Sequence, residues 1–108
     1  MTTFDDRERA FEAQYARDQE LQFKISARRN RLLGRWAADL MGLTDVEAEA
    51  YAKDIIRADF EEAGDEDVIR KLIGDLTSAG VDMDEGRIRE ALHEKLVEAR
   101  RQFIEAQN

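Results

Sequence analysis

The sequence predicts an all-α fold, a small four-helix bundle with a projecting N-terminal arm, and three observations carry that expectation. The 108 residues include no proline and only six glycines, so nothing forces the backbone out of helical geometry over long stretches. Apolar residues recur at helical period in four successive segments. Each break between segments carries the same punctuation, a glycine followed within two residues by a polar residue suited to capping a helix.

Taken in order, the first helix is expected over 4–41, where Leu21, Ile25, Leu32, Trp36 and Leu40 mark the core face of its second half. Gly42 closes it, and Thr44 with Glu47 has capping-box spacing, each side chain able to satisfy an orphan backbone amide at the start of the next helix. That second helix, over 45–63, offers Tyr51, Ala52, Ile55, Ile56 and Ala63 to the core. Gly64 and Asp65 repeat the punctuation before a third helix over 66–79, which aligns Val68, Ile69, Leu72, Ile73 and Leu76. Gly80 and Asp82 repeat it again. A fourth helix over 83–106 begins with Asp84 and Glu85, whose charge suits a helix N-terminus, and aligns Ile88, Leu92, Leu96, Ala99 and Phe103. Val97 and Ile104 lie off that face and are read as widening the core in preference to marking a contact patch. Four amphipathic helices on short connections favour an antiparallel bundle.

Helix lengths then expose a mismatch. At about 1.5 Å per residue the first helix would run roughly 57 Å, against roughly 28, 21 and 36 Å for the other three. The chain therefore divides into an arm, residues 1–18, and a bundle, residues 19–108. Phe4, Phe11 and Tyr15 fall within about 40° of one another on the arm's helical wheel, backed by Ala10, Ala13 and Ala16. Alone, so short a helix is marginal and expected to be nascent or partly disordered. Such a segment suits helix-in-groove recognition, with aromatic anchors and charges setting register. Folding back on its own bundle or pairing with a second copy fits the pattern as well, whereas the acidic balance argues against an anionic bilayer.

Charge and composition exclude several classes. With 25 acidic and 17 basic residues the net charge is -8, which opposes general binding to the polyanionic nucleic-acid backbone. No cysteine is present, so disulfides, thiolate metal sites and a cysteine nucleophile are excluded. The acidic N-terminus lacks the positive and apolar stretches of a secretory signal, and no apolar run nears the roughly 18 residues of a membrane span. A soluble, intracellular protein is expected. Ser26 and Ser78 have no attendant histidine, neighbouring carboxylates such as Glu61 and Glu62 diverge on a helix, and the lone His93 makes a poor metal ligand, so neither an enzyme nor a metal site is expected. Asp59 interrupts the apolar stripe of the second helix, so it either pairs with an arginine or His93 or sits at a less packed edge.

Charge is also unevenly spread. Residues 21–35 hold Lys24, Arg28, Arg29, Arg31 and Arg35 and no acid. Lys24, Arg28, Arg31 and Arg35 form one stripe that a phosphate-rich ligand could read, with Trp36 or Phe23 as a stacking surface for a nucleotide; the plainer reading is a solvated face balanced by the acidic second helix.

The segments MTTFDDRERAFEA (1–13), LQFK (21–24), ARRNRLLG (27–34), WAA (36–38), EAEAYAKDI (47–55) and ADFEEAGDEDV (58–68) closely resemble the zeta subunit of the alpha-proteobacterial F-type ATP synthase. The resemblance implies a non-enzymatic inhibitor of ATP hydrolysis by the catalytic head, whose partners are the alpha, beta and gamma subunits. It implies a cytoplasmic protein, peripheral to the inner membrane through the synthase. By matching position it marks Phe4, Asp5, Asp6, Arg7, Glu8, Arg9, Phe11 and Glu12 as inhibitory residues, with Tyr15 standing where the family usually has phenylalanine. It further implies an arm that becomes helical at an alpha/beta interface beside the gamma shaft and blocks hydrolytic rotation. Purine nucleotide binding has been linked to the family, which lends some weight to the basic stripe; no other cofactor is expected.

Overall fold

The computed structural model describes residues 3–61 and 64–107, with side chains described for 17–60 and 64–105. Four helices follow one another, α1 (Thr3–Leu40), α2 (Asp45–Glu61), α3 (Glu66–Ser78) and α4 (Glu85–Gln107), with no strand among the described residues.

The glycine punctuation acts as the sequence implies. Gly42, Gly64 and Gly80 have φ of 73°, 107° and 80°, a left-handed region that side chains rarely adopt. At Gly42 the Leu43 amide donates to the Ala38 carbonyl and the Gly42 amide to the Asp39 carbonyl, the paired bonds that close a helix on a left-handed residue. Val81 and Gly80 do the same onto Leu76 and Thr77 at the end of α3. The capping box forms at α2, where the Glu47 amide donates to Thr44 Oγ1 at 3.3 Å and the Thr44 amide to Glu47 Oε1 at 2.9 Å.

Two caps differ from expectation. Asp84, not Asp82, starts α4, accepting the Arg87 amide at 2.7 Å. Asp65 makes no side-chain cap on α3, because its carboxylate is turned onto Arg29 at 3.0 Å. A buried guanidinium outcompetes a solvated helix end for that carboxylate.

Leu33, Ala37, Ile55, Val68, Ile69, Leu72, Leu76, Ile88 and Ala91 form the core, edged by Trp36, Met41, Tyr51, Ile73 and Leu92. Hydrogen bonds and ion pairs between Arg35 and Asp45 at one end and Asn30 and Asp59 at the other set α2 antiparallel to α1. Arg28 on Gln102 and Arg87 over Trp36 set α4 antiparallel to α1 on another side. Because α1 is flanked by both, its buried arc follows Ile25, Arg29, Leu33 and Ala37, with Asn30, Gly34 and Ala38 beside it. Leu32 is consequently only half-buried and Leu40 is exposed, a correction to the face expected for this helix. Val97 and Ile104 are also exposed, since they lie about half a turn around α4 from Ile88 and Ala99. They do not widen the core.

Backbone contact governs the α1–α2 pair. A Cβ added to Gly34 would stand 2.7 Å from Ala52 Cα and 3.3 Å from Ile55 Cγ1. Alanine ordinarily stabilises a helix interior by about 0.5–1 kcal/mol over glycine, but overpacking costs about 1–3 kcal/mol, so here the clash wins. Gly74 in α3 is the internal control, with nothing within 4 Å of its added Cβ. Thermal unfolding should therefore shift in opposite directions, Gly34→Ala melting roughly 5–10 °C lower and Gly74→Ala a few degrees higher. Shifts of the same sign would contradict the close approach.

Candidate functional site

The structure presents three surfaces to weigh as sites: the N-terminal part of α1, the basic stripe, and a groove between α1 and α2.

α1 is continuous over Thr3–Leu40, 38 residues or about 57 Å of helix, whereas α2, α3 and α4 have 17, 13 and 23 residues. The molecule measures 65 × 29 × 23 Å. Arg17, Asp18, Gln19 and Glu20 are exposed, Leu21 is half-buried, and Ile25 is the first described residue of α1 to be buried. Among the described side chains of α1, cover from the bundle thus begins at Leu21 and is complete at Ile25. The side chains of the predicted inhibitory set, Phe4, Asp5, Asp6, Arg7, Glu8, Arg9, Phe11, Glu12 and Tyr15, lie outside the described residues.

The basic stripe divides. Lys24 pairs with Glu20 on its own helix at 3.2 Å. Arg28 turns to α4, donating to Gln102 Oε1 at 2.7 Å with its guanidinium 5.2 Å from the Phe103 ring centroid. Arg31 and Arg35 turn to α2 and converge on one oxygen, Glu49 Oε1, while Arg35 also reaches Asp45 at 3.3 Å. Trp36 is half-buried at the core edge, and the guanidinium of Arg87 stands 5.4 Å from its ring. Each cation of the stripe therefore already has a partner, and the acidic second helix supplies two of the carboxylates.

Those pairs set the local titration behaviour. The hydrogen bond from Arg31, then that from Arg35, hold the Glu49 carboxyl below its ordinary value, and the hydrogen bond to the Thr44 backbone does the same for Glu47. Burial, reinforced by the hydrogen bond its hydroxyl donates to Asp75 at 2.7 Å, pushes the Tyr51 phenol well up. Lys71 donates to the same Asp75 oxygen at 3.0 Å, so this triad joins α2 to α3.

Sequence reasoning did not find two features. One is a buried polar cluster. Arg29, 7% exposed at its side chain, pairs with Asp65 at 3.0 Å and Asp59 at 3.7 Å and donates to Asn30 Oδ1, while Asn30 Nδ2 donates to Asp59 at 2.9 Å. This answers the need of Asp59 for an arginine; His93 is exposed and takes no part. The second feature is an open groove of about 640 Å³ beside that cluster, with Phe23 and Phe60 in tilted contact at its edge, ring centroids 4.9 Å apart. Both phenylalanines are visible in the sequence, but their juxtaposition depends on the α1–α2 register.

No group of three or more histidine, cysteine, aspartate or glutamate residues is arranged to hold a metal ion among the described residues. Among them, too, no helix is long and apolar enough to cross a membrane.

Acid should expose the contribution of Glu47 and Glu49. Both have folded-state values below their ordinary 4.5, so the stability they add is present above that pH and is lost as pH falls through the lowered values. Chemical denaturation between pH 6 and 3 should show stability falling below about pH 4.5, and Glu49→Gln should lose less over that window than the parent chain. Because these pairs are exposed, added salt should shrink the difference. An acid profile unchanged by Glu49→Gln would contradict the assignment.

Among known families, residues 1–102 match the family model for ATPase inhibitor subunit zeta. A protein solved by solution NMR is 42% identical, with a TM-score of 0.71 over 80% of this chain and 98% of that one. No curated protein matches.

Proposed function

The chain belongs to the ATPase inhibitor subunit zeta family, a regulatory and non-enzymatic family, and on that premise we propose that it inhibits ATP hydrolysis by the catalytic head of the F-type ATP synthase through its N-terminal arm. The observation that carries this reading is the overhang. α1 runs unbroken from Thr3 to Leu40, yet its first buried residue among those described is Ile25. The described side chains ahead of it, 17–24, are exposed apart from the half-buried Leu21, so the bundle leaves this end of α1 available to a partner.

The arm's sequence supplies the means. Phe4, Phe11 and Tyr15 share one helical stripe and are the anchors, burying apolar area in a groove between alpha and beta subunits beside the gamma shaft. Arg7, Glu8, Arg9 and Glu12 set the register, with Asp5 and Asp6 at the leading end, where negative charge suits the helix N-terminus. An 18-residue helix is marginal in isolation, so the partner's groove offsets its ordering cost. Absence of proline matters here too. Without a kink or hinge between arm and bundle, a load on the arm is passed along α1 into the domain behind it. The arm then works as a pawl, opposing hydrolytic rotation and yielding to rotation in the direction of synthesis.

A purine nucleotide on Lys24, Arg28, Arg31, Arg35 and Trp36 is the less favoured reading, because a phosphate would have to displace Glu49 from two guanidiniums at once. The arm reading makes a direct prediction. Titrated against ATP hydrolysis by the purified synthase head, the full chain should inhibit, and a chain lacking residues 1–18 should lose at least about a hundredfold in potency if two or more anchors are removed together. Circular dichroism of the shortened chain should retain the α2–α4 helices. Equal inhibition with and without residues 1–18 would overturn the reading.

A further inference from the structure

α1 meets the end of α4 where the arm leaves the bundle. Arg28 donates to Gln102 Oε1 at 2.7 Å and holds its guanidinium 5.2 Å from the centroid of the Phe103 ring, so one side chain of α1 grips two neighbouring residues of α4. Closer to the arm, Leu21, Gln22 and Ile25 share a crevice of about 210 Å³ with Arg100, Phe103 and Ile104. Phe103 takes part in both contacts and is half-buried, and Leu21 is the outermost described side chain of α1 that the bundle covers.

α2 supports the same stretch less closely. Its Phe60 touches Phe23, ring centroids 4.9 Å apart, yet both rings remain exposed and the groove beside them is open. The side facing α4 is therefore the side on which α1 is held as it leaves the bundle. Direction at this point matters because the arm is a lever. Residues 1–18 as a helix extend about 27 Å, so a tilt of roughly 10° at the root carries the tip about 5 Å sideways.

We propose that Phe103 and Arg28 are positioning residues for inhibition: together they clamp the last turns of α4 to the root of the arm and fix the direction in which it leaves the bundle. The proposal rests on the arm being the inhibitory element. Neither residue acts by touching the partner; both act through α1. A fixed direction presents the aromatic stripe to the synthase already aimed, which lowers the ordering cost of docking. It also gives the pawl a domain to bear against.

The test uses the full chain. With nitroxide labels on Ala13→Cys and on Val46→Cys, an exposed position in a chain with no native cysteine, the distance between labels in the free protein reads the direction of the arm. Unlabelled chains with the same substitutions at 28 and 103 are titrated against ATP hydrolysis by the purified synthase head, well below their melting temperatures. Phe103→Ala and Arg28→Gln should each broaden the distance distribution and raise the half-inhibitory concentration about tenfold. Phe103→Tyr, which keeps the ring, should match the parent in both. A purely structural role for Phe103 predicts a lower melting temperature with distances and potency unchanged, and that result overturns the proposal; broadening without loss of potency, or loss of potency without broadening, overturns it as well. Arg28→Gln leaves the Phe103 ring in place and carries the test if circular dichroism shows that Phe103→Ala does not fold. A chain lacking residues 1–18 separates the two readings. If it inhibits as well as the parent, the arm reading fails and the clamp with it; if it does not inhibit and the clamp variants match the parent, the clamp alone is overturned.

Discussion

α1 and α2 touch backbone to backbone at Gly34 and Ala52, and the rest of the molecule depends on that contact. The missing Cβ at Gly34 lets Ala52 of α2 seat directly against α1 at the observed height. That height brings Glu49 opposite Arg31 and Arg35, Asp59 opposite Arg29 and Asn30, and Phe60 against Phe23. It also decides where cover on α1 ends. α2 runs only 17 residues back from the turn at Gly42, so everything before about Leu21 extends past it. The overhang is thus a consequence of packing and not a separate module joined by a linker.

The polar cluster around Arg29 reinforces the same geometry by a different route. A guanidinium buried to this degree is costly to desolvate, and such pairs often add little net stability over apolar replacements. Their geometry is demanding, however. Arg29 accepts only an arrangement in which Asp59 at the end of α2 and Asp65 at the start of α3 both reach it, which holds the α2–α3 connection against α1. Removing either carboxylate would leave the buried Arg29 guanidinium short of a partner. The net charge of -8 therefore conceals a pattern of matched pairs across α1 and α2.

Local signals made the helices legible and tertiary register hid most of the remainder. Positive φ at Gly42, Gly64 and Gly80 and the Thr44–Glu47 box involve residues within a few positions of each other, so the sequence states them openly. Asp65 looked like a cap because the sequence does not reveal that Arg29, 36 positions away, competes for it. Leu40 and Ile104 were apolar at plausible positions, yet which side of a helix is covered depends on where its neighbours sit. Gly34 reads as an ordinary interior glycine until Ala52 is brought beside it. The overhang needed only lengths, and the resemblance supplied what lengths alone leave open, which partner the arm meets.

The arm's engagement is tested most directly by site-specific photo-crosslinking, which the chain suits because it has no native cysteine. Ala13→Cys places a benzophenone label in the arm off the aromatic positions, and Val46→Cys places one at the opposite end of the α1–α2 hairpin, on an exposed residue. Each labelled chain would be illuminated with the synthase head during ATP hydrolysis. The label at position 13 should capture alpha or beta subunits and the label at position 46 should capture neither. Capture from position 46 with none from position 13 would mean that the bundle, and not the arm, is what the synthase holds.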